Sequence, residues 1–107
     1  MIARIWTART TGGSLDGYRS HFDNAVVPEI RRLDGFVAAE LLTRPHGDEV
    51  EIVVISRWRS LQAIAGFAGE DIEAAVVAPE AQPLLLSWDR RVRHFTVAAT
   101  HRAEPDR

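Results

Sequence analysis

The sequence predicts an α+β domain of the ferredoxin-like type: a four-stranded antiparallel sheet with two helices on one face, in the order βαββαβ. Three observations carry that prediction. The run Ile52-Val53-Val54-Ile55 is wholly β-branched and favours an extended strand. Side chains alternate across a strand, so this run leaves neither side polar at its centre. The second observation is a set of apolar residues at helical spacing (Tyr18, Phe22, Ala25, Val26, Ile30 and Leu33) between two strand-like segments. The third is the alternation of segments along the chain, which matches the split β-α-β arrangement. The chain's own helices cover one face of such a sheet, and the other face needs a cover too. A patch of several hundred Å² left in water would cost on the order of ten kcal/mol at about 25 cal/mol per Å². A second copy of the chain is the predicted cover, and two sheets packed face to face form a dimeric α/β barrel.

Ile2 to Arg9 alternates apolar, small and cationic residues and reads as strand one. Thr10 to Ser14 is a loop, with Ser14 placed as an N-cap. Helix one runs from Leu15 to Leu33. Pro28 lacks a backbone donor, so a kink or break is expected there. Asp34-Gly35 stops the helix. Phe36 to Thr43 is strand two, Pro45-His46-Gly47-Asp48 is turn chemistry, and Glu49 to Trp58 is strand three, together a hairpin with strand three in the sheet's interior. Ser60 caps helix two, whose inward positions are Leu61, Ile64 and Phe67; Gly66 and Gly69 shorten it. Asp71 to Val77 reads as a further short helix. Leu84-Leu85-Leu86 is apolar but of ambiguous type. Arg90 to Ala99 is the last strand. Residues 1–100 thus form one domain, and 101–107 a polar tail that frays.

Composition narrows the function. The chain has 107 residues, 46% of them apolar, which is enough for an ordinary core. Its net charge is -2 with both signs interspersed, and no basic stripe marks a nucleic-acid site. It has no cysteine, so disulfides, thiolate metal sites and cysteine nucleophiles are excluded. No apolar stretch is long enough to span a bilayer, and the N-terminus reads as a strand rather than a signal peptide. The expectation is a cytoplasmic protein without membrane or nucleic-acid partners. The histidines at 21, 46, 94 and 101 lack metal-ligand spacing, and no Ser-His-Asp pattern, phosphate loop or dinucleotide fingerprint is present.

Three segments carry a resemblance: Met1 to Trp6, Phe67 to Glu80, and Arg91 to Val97. They resemble the opening strand, the linker after helix two and the closing strand of the antibiotic biosynthesis monooxygenase-like family, a branch of the dimeric α/β barrel superfamily. The resemblance implies a homodimer with a cavity between helices and sheet in each subunit. It implies oxidation of an aromatic, quinol-like or polyketide-type molecule by O2 with no cofactor and no metal. Non-catalytic binding of a small apolar ligand, a stress-linked role, and cyclase or isomerase chemistry are alternatives. Haem-degrading relatives resemble a pattern with Asn late in strand one and Trp and His after strand three. This chain has Thr7 or Ala8, Phe67 and Val77 there, and Val77 cannot ligate iron.

Cofactor-free oxygenation needs a base to remove a phenolic proton, donors to hold the anion, and apolar walls that exclude water. An imidazole suits the base. His94, in the last strand, is the first candidate; the competing reading is a core or interface histidine. Tyr18 and His21 share a side of helix one and would place a hydroxyl and an imidazole at the cavity mouth, or else be core and solvated residues. Arg4 shares a face of strand one with Trp6. A buried Arg needs a counter-charge, either an anionic ligand or a salt bridge to Glu49, Glu51 or a partner-chain carboxylate. Trp6, Phe22, Trp58 and Phe67 would wall an aromatic substrate pocket. Glu70, Asp71 and Glu73 read as helix-start residues rather than a catalytic acid pair.

Overall fold

The computed structural model describes residues 1–104. Strand β1 (Ile2–Thr11) lies at the middle of a five-stranded antiparallel sheet ordered β2-β3-β1-β4, with β5 also pairing β1. Strands β2 (Phe36–His46) and β3 (Glu49–Trp58) form the expected hairpin, and β3 is interior. The strands run further than the residue pattern predicts. His46 pairs with Glu49 across a turn of Gly47 and Asp48, and Gly47 adopts φ +61. Pro45 and His46, read as turn residues, are therefore the end of β2. An edge strand tolerates Pro because one row of its backbone groups faces solvent.

The last strand is broken in two. Strand β4 (Ser87–Trp88) and strand β5 (Arg93–Thr96) pair with opposite ends of β1, Ala8 with Trp88 and Arg4 with His94. Between them the chain leaves β1 and pairs with the segment after the second helical region. Val92 N–H donates to the Glu73 carbonyl, Ala75 N–H to the Arg90 carbonyl, and Ala74 bridges Arg91. Asp71 to Val77 is thus not a helix but an extended strap across the sheet's end. Its carbonyls are taken by other parts of the chain, and Asp71 makes a two-pronged ion pair with Arg91, both contacts at 3.0 Å. That pair holds the Asp71 carboxyl below its ordinary range.

The first helical region is α1 (Leu15–His21), a π turn at Phe22–Val26, and α2 (Val27–Ile30), continuous through Pro28. The expected kink is instead a local widening. Pro28 has no N–H to give, and the Val27 N–H reaches back five residues to the Phe22 carbonyl. Ser14 does not cap with its side chain; it is instead held by Thr11, whose hydroxyl accepts from the Ser14 N–H at 3.1 Å. Gly35 ends the region with φ +86, where a Cβ would also lie 2.5 Å from that of Ala63, so only glycine fits. Helix α3 (Leu61–Ala68) is capped as expected, the Ser60 hydroxyl accepting from the Ala63 N–H at 3.1 Å. Leu84-Leu85-Leu86 resolves into the end of a single 3₁₀ turn (Gln82–Leu84), a buried Leu85 and an exposed Leu86. Residues 101–104 are exposed and have no regular structure. The remainder of the predicted tail lies outside the described residues.

Burial along β1 alternates. Arg4, Trp6, Ala8 and Thr10 are buried beneath the helices; Ser56 and Ile52, the registered partners of Arg4 and Ala8, share that face, as does Trp58 opposite Ile2. The odd-numbered residues face away. Ile5 pairs with Ile55, Thr7 with Val53, and Leu42 and Phe95 extend this second surface, both more than 40% exposed. The covered core has two parts, one around Trp6, Tyr18 and Ile52, the other around Ile30, Trp58 and Ile64.

Candidate functional site

A cavity of about 130 Å³ lies between the covered face of the sheet, the π-turn region and the strap. Arg4, Trp6, Tyr18, Phe22, Trp58 and Phe67 line it. His21, Glu29 and Glu80 stand at its rim, where side chains are more exposed. The π turn presents Phe22, Ala25 and Val26 to this space. A widened turn in an α-helix at a cavity wall is a frequent mark of functional sites.

The aromatic walls are tied together. Trp58 stacks on Phe67 with centroids 5.9 Å apart and meets Phe36 edge-on at 5.4 Å. Its indole N–H donates to the Ser56 hydroxyl at 2.9 Å, so this fully buried ring keeps no unmet donor. Trp6 donates its indole N–H to the Asp89 carbonyl at 3.0 Å and lies 6.1 Å from Tyr18, centroid to centroid. Tyr18 is buried, and that burial pushes its pKa up to about 12. It is therefore a phenol, a donor and not a base, at neutral pH. Its hydroxyl has no hydrogen-bond partner among the described residues, and no fully buried side-chain oxygen among them is left unpartnered, so this hydroxyl keeps access to open space.

Arg4 is the one charged side chain in the buried lining. It is only 4% exposed. Burial lowers its pKa to about 10, which leaves it fully cationic at neutral pH. Glu49 and Glu51, its expected salt-bridge partners, are engaged on the opposite face, by Arg9 and Arg44. No carboxylate contacts Arg4 among the described residues. Its Nη1 donates to the Ile72 carbonyl and meets His94 Nε2 at 2.9 Å, and its Nη2 donates to the Ala74 carbonyl at 2.8 Å. The guanidinium also lies 5.6 Å from the centre of the Phe67 ring.

His94 does not line the cavity; it stands behind Arg4. A guanidinium has no acceptor, so the imidazole must accept through Nε2 and is neutral in this contact. Burial, and then the Arg4 charge, lower the His94 pKa against the opposing pull of Glu73. The lone pair a general base would use is thus occupied. Of the other residues named from the sequence, Trp6, Tyr18, His21, Phe22, Trp58 and Phe67 meet around one space, with Arg4 at its floor. Sequence reasoning missed Val54 and Ser56, although the period of two puts them on the Trp58 face of β3. It also missed Val76 in the strap and Ala78 and Ala81 just after it, whose irregular backbone carries no periodic signal. Val77 lines the cavity with a hydrocarbon side chain that has no lone pair, while Thr7 lies on the opposite face. No group of three or more metal-binding side chains occurs among the described residues.

Fold and site define a small α+β protein whose helices and sheet enclose an aromatic-walled cavity around one buried cation. The chain belongs to the antibiotic biosynthesis monooxygenase family, whose sequence profile matches residues 1–78. Similar solved structures include a Bacillus cereus protein assigned to the antibiotic biosynthesis monooxygenases, with 18% identity, coverage of 98% of each chain and a TM-score of 0.70. The haem-degrading protein MhuD of Mycobacterium tuberculosis, with two haems bound in its active site, is 20% identical over 94% of this chain and 99% of its own, with a TM-score of 0.63. A Streptomyces coelicolor monooxygenase from the gene ActVA-Orf6, in complex with nanaomycin D, is 17% identical over 98% of this chain and 92% of its own, with a TM-score of 0.55. At these identities the likeness shows the fold alone. No functionally curated protein matches the chain. No helix among the described residues is long and apolar enough to cross a membrane.

Proposed function

We propose that this protein is a homodimeric, cofactor-independent monooxygenase that oxidises an aromatic, quinol-like small molecule in the cavity. The observation that carries this reading is a buried Arg4, without a carboxylate, at the floor of a space walled by Trp6, Tyr18, Phe22, Trp58 and Phe67. Aromatic walls select a flat ring system and keep water out. Arg4 and the Tyr18 hydroxyl donate to a phenolate oxygen as its proton leaves, the electrostatic work this chemistry asks of a protein. His21 at the rim is the imidazole that takes the proton. The electron-rich anion then reduces O2. For an anthrone, one molecule of O2 is consumed, the ring CH2 becomes a carbonyl, and one water is released. The neighbours' names, an ActVA-Orf6 monooxygenase among them, support the class of reaction. The uncovered face around Ile5, Val53, Ile55, Leu42 and Phe95 supports the twin subunit.

Oxygen uptake with 1,8-dihydroxyanthrone and a panel of hydroquinones tests the reading. Uptake above the uncatalysed rate, with quinone formed in equal amount, is the expected result. Uptake equal to the buffer blank removes it. A second reading, a homodimer that binds a small aromatic ligand without turning it over, is favoured by one observation: the His94 lone pair is held by Arg4, leaving no free imidazole at the cavity floor. That reading predicts ligand-dependent thermal shifts with no product.

A further inference from the structure

We propose that the cavity selects aromatic ligands bearing an acidic oxygen seated on Arg4, and that His94 is the positioning residue that holds the Arg4 guanidinium for them. The inference builds on the cavity taken above as the substrate site, but not on turnover. Every partner of Arg4 is neutral: two backbone carbonyls, an imidazole acceptor and the face of Phe67. The Glu73 carboxylate acts on His94 through space but does not contact Arg4, so this buried cation lacks a contacting counter-charge of the kind that ordinarily offsets lost hydration. The remaining place for a contacting negative charge is the cavity that Arg4 lines.

The geometry leaves a donor for it. The Ile72 and Ala74 carbonyls and His94 occupy Nη1 and one proton of Nη2, and the Nε–H meets no partner among the described residues. No fully buried side-chain nitrogen among them is unpartnered, so Nε keeps access to open space. One edge of the planar fork is clamped and the other is offered, which suits an oxyanion. His94 sets the clamp from the β5 side and the strap carbonyls set it from the other. The rim carboxylates Glu29 and Glu80 are exposed and screened by solvent, and they oppose a second negative charge at the mouth. The ligand therefore enters acid end first, with its outer end uncharged.

Calorimetric titration at pH 7.5 with naphthalene-2-sulfonate and its neutral isostere naphthalene-2-sulfonamide tests this. The sulfonate should bind about tenfold tighter or better, the advantage of a charge-assisted contact over a neutral one. Arg4→Met should erase that preference while sulfonamide binding persists. His94→Ala should weaken the sulfonate severalfold and leave the sulfonamide alone; His94→Gln, whose amide oxygen can accept from the guanidinium, should restore it. Equal binding of the two probes by the unaltered protein, or binding of neither at millimolar concentration, overturns the anion seat, and needs no variant to fold. Sulfonate binding that is the same in His94→Ala as in the unaltered protein, or no rescue by His94→Gln, overturns the positioning role. Preference for the sulfonate without oxygen uptake leaves this inference standing and removes the oxygenation reading; uptake without charge preference does the reverse.

Discussion

The two faces of this sheet are built from the same strands and carry opposite contents. On one, Arg4, Trp6, Ser56 and Trp58 are buried beneath helices and a strap and enclose a cavity. On the other, Ile5, Val53 and Ile55 lie half-buried and Leu42 and Phe95 exposed, with no helix or strand among the described residues above them. On the covered face each fully buried side-chain polar atom among the described residues has a partner, whereas on the open face Ile5, Val53, Ile55 and Leu42 form an apolar patch flanked by Glu40, Arg57 and Arg93. A single strand can serve both purposes because its period is two: one residue of slip would exchange them. The covered face has what a ligand requires, and the open face has what a second sheet requires.

The largest effect separating the faces is expected at Trp58. Trp58→Ala should cost about 3–5 kcal/mol in chemical denaturation, since the ring is wholly buried and joins Phe36 to Phe67. A loss below about 1 kcal/mol would mean that this face is not the keystone described here. Next comes Val53→Lys on the open face, where Val53 stands between Thr7 and Leu42. An unpaired charge at the centre of the proposed dimer interface should weaken association by about a hundredfold or more, seen as monomers in sedimentation at micromolar concentration, with the fold retained. If the unaltered protein is itself monomeric there, the open face has another use.

The chain's single tyrosine permits a smaller and cleaner measurement. Tyrosinate absorbance should titrate with a midpoint of about 12 in the folded protein and return towards the ordinary value of 10.0 on unfolding. Because the folded pKa is raised, this residue's contribution to stability holds below pH 10 and is lost as pH rises towards 12. A midpoint at the ordinary value would place the hydroxyl in bulk water. The smallest effect is at His94, whose folded pKa is lowered from 6.5 by burial first and by Arg4 second. In acid the unfolded chain then binds more protons than the folded one. The His94 contribution is therefore present above pH 6.5 and is lost as pH falls below it towards the folded value. His94→Gln should flatten the fall in unfolding midpoint between pH 7 and pH 5; an unchanged profile would show that His94 does not titrate against Arg4.

Much of this was legible in the chain. The β-branched run at 52–55 placed β3 in the interior, and alternation put Arg4 and Trp6 on one face. The apolar stripe from Tyr18 to Ile30 identified the covering helix. Irregular backbone was not legible. The strap at 71–77 has the composition of a helix start, but its carbonyls serve Arg4 and its N–H and C=O groups pair with residues 90–92, contacts between parts of the chain fifteen or more residues apart. The same long-range pairing split the last strand. His94 was legible as a residue of the last strand, but its contact with Arg4 was not, because only the folded chain brings the two to 2.9 Å. The π turn follows from Pro28, yet a missing donor predicts either a kink or a widening, and packing chose the second.

The central claim is that the covered face binds an aromatic molecule and the open face does not. Amide and indole nuclear magnetic resonance spectra recorded while 1,8-dihydroxyanthraquinone is added test it most directly. The account predicts that the indole signals of Trp6 and Trp58 shift in a saturable way, while Trp88 and the amides of Leu42, Val53 and Phe95 stay in place. Shifts concentrated at Leu42, Val53 and Phe95, with Trp6 and Trp58 unmoved, would contradict it.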